Sequence, residues 1–156
     1  MRDKINFTLG IILFGFGCLI YALTRQSSQF FISEIQLPFI LPQIITLSSP
    51  AFFHTISMIL ISSPFIERKN TSIIMLCLFW TGIQVLFELG QKYPYFSPKF
   101  SPDYFYYLNQ YFKNGTYDPK DIGMAVAAGL AGTLILFISQ LNFLFSKKVL
   151  TYVRKK

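Results

Sequence analysis

Four stretches of the chain lack Asp, Glu, Lys and Arg for long enough to cross a bilayer: Ile5–Thr24, Ile35–Ile66, Asn70–Phe87 and Ile122–Ser146. A helix needs about 20 mostly apolar residues to span roughly 30 Å of hydrocarbon, so the first, third and fourth each fit one span. The second is too long for one span, and Pro38, Pro42 and Pro50 interrupt it. Its helix is placed at about residues 50–66, with Pro50 in the first turn and Ser48 or Ser49 as the cap. Residues 35–47 then form an apolar segment too short to cross, which reads as interfacial or re-entrant. The pattern predicts an all-α integral membrane protein, a four-transmembrane-helix bundle in one domain over residues 1–156. Its spans lie at about 5–24, 50–66, 70–90 and 121–146, with an outer loop over 91–120. Met1-Arg2-Asp3-Lys4 makes a basic start, but the apolar run after it is long and no Ala-x-Ala site follows. The first span is therefore read as an uncleaved anchor.

Composition agrees. The chain is 53% hydrophobic and 13% charged, about half the roughly 25% charge of an average soluble domain. Those numbers argue against a soluble globular fold and exclude a disordered chain. The net charge of +7 takes its meaning from its placement. With the N-terminus cytoplasmic, the inner segments 1–4, 67–69 and 147–156 hold nine basic residues against Asp3 and Glu67. The outer segments hold five basic residues (Arg25, Lys92, Lys99, Lys113, Lys120) and five acidic ones (Glu34, Glu88, Asp103, Asp118, Asp121), which cancel. The whole surplus falls on one side, the positive-inside pattern. It puts both termini in the cytoplasm and the basic tail against anionic headgroups. It also removes nucleic acid as the reason for the charge.

The outer loop is aromatic. Residues 93–117 hold eleven aromatics, seven of the nine tyrosines among them, and Tyr suits the headgroup region, where the ring is buried and the hydroxyl stays wet. Ser101-Pro102-Asp103 is a helix start and Asn114-Gly115 a stop. Between them Tyr104, Tyr107, Leu108 and Tyr111 share one face. The prediction is a short amphipathic helix on the outer leaflet, or else a loop packed over the mouth of the bundle. Asn114-Gly115-Thr116 also matches a glycosylation sequon, which matters only in a secretory-pathway host.

Ionisable groups at membrane depth are costly, which makes each a functional candidate. His54 is placed about one turn into the second helix from its outer end. Gln84, Glu88 and Gln91 share a face near the outer end of the third, and Asp118 and Asp121 open the fourth. The topology brings His54, Glu88, Gln91 and Asp121 to a similar outer depth. Each has a structural alternative. Asp118-Pro119-Lys120-Asp121 reads as N-cap, N1, N2 and N3, so both carboxylates could serve the helix start. Glu88 could snorkel or pair with Lys92, and His54 could bond a neighbouring helix. Ala125/Gly129 and Ala128/Gly132 are small-xxx-small pairs, read as packing within the bundle rather than as a dimer face. Cys18 and Cys77 lie mid-span, so neither a disulfide nor a metal site is indicated, and no cofactor motif is present.

The order of these landmarks resembles the VanZ-like family of small bacterial membrane proteins, named for a member linked to teicoplanin resistance. That family has a proline-containing segment after the first helix (here Leu37-Pro38) and a histidine early in the second (Pro50-Ala51-Phe52-Phe53-His54). A Glu-x-x-Gln closes the third (Glu88-Leu89-Gly90-Gln91). An Asp-x-x-Asp opens a Gly-rich fourth (Asp118-Pro119-Lys120-Asp121, continuing to Gly129 and Gly132). The resemblance covers roughly residues 5–145. The chain departs from the family at Ala125, where an Asn is usual, and in having no arginine between Gln91 and Asp121.

The resemblance implies a non-enzymatic envelope protein of the bacterial inner membrane whose outer cluster engages lipid headgroups, a lipid-linked wall precursor or a membrane partner. The alternative is a lipid-modifying enzyme with His54 as acid or base and Glu88 or Asp121 positioning it. Phosphoryl substrates normally call for arginine clamps, and only Arg25 lies on the outer side. A small transporter is the third reading, against which the single deep carboxylate sits near one surface rather than at the midplane.

Overall fold

The structure is a computed structural model that describes residues 2–24, 43–67, 69–93, 110 and 112–153, with side chains over 3–22, 48–67, 69–93, 110 and 112–142. Four long helices account for nearly all of it: α1 (Arg2–Thr24), α2 (Gln43–Ser62), α3 (Asn70–Lys92) and α4 (Pro119–Val153). A 3-10 turn, Ser63–Phe65, follows α2, and no strand occurs among the described residues. The fold is all-α, as the hydrophobic pattern predicts.

Three segments, Asp3–Ala22, Asn70–Lys92 and Pro119–Asn142, are long and apolar enough to cross a membrane, one fewer than the sequence pattern suggests. Their large apolar side chains point outward: Ile12 is 60% exposed, Leu78 62% and Leu130 70%. Water penalises such surfaces at about 25 cal/mol per Å², whereas a bilayer does not, so lipid is the solvent these helices suit.

α2 is different in kind. It packs against α1, α3 and α4 and buries Ser48, Ser49, Thr55 and Ser57 alongside Ile56, Ile59 and Leu60. Two of the buried hydroxyls bond back to their own helix: Thr55 Oγ1 donates to Ala51 O at 2.8 Å and Ser57 Oγ to His54 O at 2.8 Å. Such back-bonding satisfies a hydroxyl without a partner helix.

The start of α2 corrects the sequence reading. The helix begins at Gln43, not near Pro50, so Pro50 lies in its interior and Ser48 and Ser49 are helical residues, not caps. Residues 43–47, expected in an interfacial segment, are the first turns of α2; residues 35–42 lie outside the described residues. An interior proline removes one backbone bond and crowds the carbonyl four residues back. Within a bundle, neighbouring helices and Ser or Thr side chains can make good that loss.

The helices approach closely at small residues. A Cβ on Gly10 would meet Ile61 Cγ1 at 2.8 Å, and Ile61 N and Ser57 O at 3.0 Å each; one on Gly17 would meet Phe53 Cβ at 2.9 Å. Both contacts hold α1 antiparallel on α2. On α4, Ala125 and Ala128 are fully buried, Gly129 abuts Thr81 of α3, and a Cβ on Gly132 would lie 3.1 Å from Ile59 of α2. The small-residue pairs thus face the other helices of the same chain. Around them Ile56, Ile59, Leu60, Ile73, Cys77, Ala128 and Leu136 make one core, and Trp80 Nε1 donates to Ser62 Oγ at 3.1 Å across α3 and α2.

Residues 112–114 are helical and 115–118 are not, which agrees with a stop at Asn114-Gly115. Tyr104, Tyr107, Leu108 and Tyr111, the face of the predicted amphipathic helix, lie outside the described residues.

Candidate functional site

Asp118 is the N-cap of α4. Its Oδ1 accepts the Lys120 N–H at 2.9 Å, and its carbonyl accepts the Asp121 N–H at 3.0 Å. Pro119 follows at N1, where its missing N–H costs nothing, and Asp121 falls in the first turn. A carboxylate there opposes the positive end of the helix dipole. The local reading of Asp118-Pro119-Lys120-Asp121 as cap and first turn describes this geometry.

The segment leading to Asp118 lies along the end of α3. The Phe112 ring stands 5.7 Å from Phe87, inclined at 63°, and occupies the space beside Gly90, where a Cβ would come within 2.6 Å of it. The Gln91 side chain packs against Gly115, again at a distance (2.7 Å) that a Cβ would obstruct. The Lys92 ammonium sits 5.0 Å from the Tyr117 ring centroid and 5.4 Å from that of Tyr93, an attraction worth about 0.5–1 kcal/mol at exposed sites.

Contacts between helices set the depth of each polar group. Gly129 faces Thr81, and the Cys77 side chain bonds Thr133, so α3 and α4 run antiparallel with Glu88 level, within a turn, with Asp121. Gly132 faces Ile59, and counting back along the parallel pair α2 and α4 puts Ser48 at the same level. Glu88 is only 4% exposed and Ser48 only 1%; Glu88 Oε2, Asp121 Oδ1 and Ser48 Oγ are all buried oxygens. Two carboxylates and a hydroxyl from three helices therefore share one layer near the start of α4, with Gln91 a turn beyond.

His54 does not join them. Because α2 starts at Gln43, His54 is its twelfth residue, not one turn in. It lies level with Ala127, six residues and about 9 Å from Asp121 at 1.5 Å per residue. Its described side-chain neighbours are on α1: Nε2 is 3.8 Å from Cys18 Sγ, the ring lies 5.5 Å from Phe14, and Gly17 leaves room for it. The expected convergence of four groups thus reduces to Glu88, Gln91 and Asp121, with Asp118 as their cap. Ser48 and Ser49, which sequence reasoning took only as helix caps, join the layer. The signal for them was two adjacent hydroxyls in an otherwise apolar run.

Among the described residues no three His, Cys, Asp or Glu side chains converge as a metal ion would require. No protein family, curated protein or solved structure matches the chain.

Proposed function

We propose that the chain is a multi-pass envelope protein of the bacterial inner membrane, of VanZ-like type, with α2 as a fourth span and both termini cytoplasmic. In this reading it is non-enzymatic. The layer formed by Glu88, Gln91 and Asp121 engages the headgroup of an outer-leaflet lipid or of a lipid-linked wall precursor, or a membrane partner. The observation that carries the proposal is the burial of Glu88 at the level of Asp121. Burying a charge at that depth costs several kcal/mol unless something compensates it, and such groups mark functional positions in membrane helices. Carboxylates and an amide suit hydroxyl- and amine-bearing headgroups better than bare phosphates, which call for arginine. The positive-inside charge distribution supports the sidedness.

The enzyme reading needs His54 within reach of Glu88 or Asp121; packing of His54 against α1 gives it no support. The test is Glu88→Gln, which keeps size and hydrogen bonding. We expect membrane abundance near wild type with loss of the ability to relieve an envelope-stress phenotype in a deletion strain. Full rescue by Glu88→Gln at normal abundance refutes a binding role for this layer.

A further inference from the structure

Four hydroxyls inside the bundle, those of Thr55, Ser57, Ser63 and Thr133, each donate to a carbonyl three or four residues back, at 2.8 Å. Ser48 does not. The residue is only 1% exposed, and its hydroxyl has no hydrogen-bond partner among the described residues. An unpaired hydroxyl at such depth is costly, and in a native fold it marks a place where something else binds.

The direction of that hydroxyl follows from the helix faces. Ser48, Thr55 and Ile59 fall on one stripe of α2, at i, i+7 and i+11, and Ile59 is the residue that meets Gly132 of α4. Glu88 continues the stripe of Cys77 and Thr81, which face Thr133 and Gly129 of α4. Asp121 continues the stripe of Ala125, Ala128 and Gly132. The hydroxyl and both carboxylates are therefore aimed between α2, α3 and α4 at one level. Both carboxylates hold interactions of their own, but a carboxylate offers about four lone-pair positions, so acceptor capacity remains. Glu88 is 4% exposed and Asp121 partly exposed, so the layer is closed at its floor and meets the outer surface at the start of α4. The described cations at this end stay outside it: Lys92, Lys113 and Lys120 are all exposed, and the Lys92 ammonium lies over the Tyr93 and Tyr117 rings.

We infer that this layer binds a sodium ion. Buried charges are paired or coordinate a metal, and the donors here are oxygens alone, which suit a hard cation. Two ionisable ligands are too few for a transition metal, in keeping with the lack of a threefold cluster among the described residues. Calcium takes about six to eight oxygens, and magnesium gives up its water reluctantly. Sodium carries one charge, accepts a neutral hydroxyl as a ligand, and is smaller than a water molecule, as a floor closed to water requires. Sodium sites of membrane transporters are likewise built where helices end or break. The inference rests on the burial of Glu88 that carries the proposed function, since the ion supplies the compensation that burial calls for, but not on what the layer meets from outside.

The test is thermal unfolding of the full chain in detergent micelles, followed by Trp80 fluorescence in sodium, potassium, ammonium or choline chloride at one ionic strength. Saturating sodium should raise the midpoint of the wild type by roughly 5 °C over choline, with a smaller rise in potassium. Ser48→Ala should fold as well as wild type in choline, because it deletes a buried hydroxyl that lacks a partner, and should need about tenfold more sodium for the same rise. Glu88→Gln should abolish the rise. Equal midpoints in sodium, potassium and choline, or a sodium response unchanged in Ser48→Ala, overturns the inference. A rise in ammonium as large as that in sodium also overturns it, because the occupant is then a hydrogen-bond-donating cation. Rescue of the deletion strain is scored separately: a sodium response with full rescue by Glu88→Gln upholds the ion and removes the headgroup role, and lost rescue with no sodium response does the reverse.

Discussion

Replacing Gly10 by alanine places a methyl group where α1 meets α2. The new Cβ would lie 2.8 Å from Ile61 Cγ1 and 3.0 Å from both Ile61 N and Ser57 O, against about 3.5–4.0 Å for an unstrained carbon contact. Two of the three neighbours are backbone atoms, so no rotamer change relieves the overlap and the helices must part by roughly 0.5–1 Å. Overpacking of this kind costs about 1–3 kcal/mol. Alanine returns about 1 kcal/mol in helix propensity, so the net effect is roughly 0–2 kcal/mol of destabilisation. Gly15, on the same helix, has nothing within 4 Å of its Cβ position. There the same substitution should be neutral or stabilising by up to about 1 kcal/mol. The two variants should therefore differ by about 1–3 kcal/mol in SDS-induced unfolding of the purified chain from mixed micelles, followed by circular dichroism. Equal stabilities would mean that α1 does not lie on α2 at this distance.

Three further substitutions test other contacts in the same titration. Asp118→Ala should cost about 0.5–2 kcal/mol by removing the cap on α4, and Asp118→Asn only a few tenths. A phenotype without that stability loss would make Asp118 a ligand-binding group instead. Trp80→Phe removes the bond to Ser62 Oγ and should cost about 1 kcal/mol, in line with interhelical hydrogen bonds in membranes; no change would show that bond to be unimportant. Lys69→Ala should stay within about 0.5 kcal/mol of wild type, because its partner Glu67 is mostly in water; a larger loss would require a second role for Lys69.

What could be read from the sequence was what depends on neighbours along the chain. Charge-free length marked α1, α3 and α4, and the start of α4 was legible from Asp118-Pro119-Lys120-Asp121 because a cap and first turn involve only consecutive residues. Glu88 and Asp121 could be placed at one level because each lies within a few residues of the end or start of its own helix. Pro50 misled because a proline at N1 and a proline inside a helix carry the same local signal when Ile44, Ile45 and Leu47 precede it. That error moved the start of α2 by about two turns and carried His54 with it. The side of α2 on which His54 lies depends on which helix packs there, and Gly17 of α1 decides it.

If α2 crosses the membrane, as proposed, Glu88 and Asp121 lie beneath the outer surface and the basic flanks lie inside. Single cysteines at Lys69→Cys and Lys113→Cys, in a background with Cys18→Ser and Cys77→Ser, test it with a membrane-impermeant maleimide on intact spheroplasts. Position 113 should be labelled from outside and position 69 only after permeabilisation. If α2 does not cross while the N-terminus stays inside, the pattern inverts, and labelling of position 69 in intact spheroplasts would show that α2 is not a span.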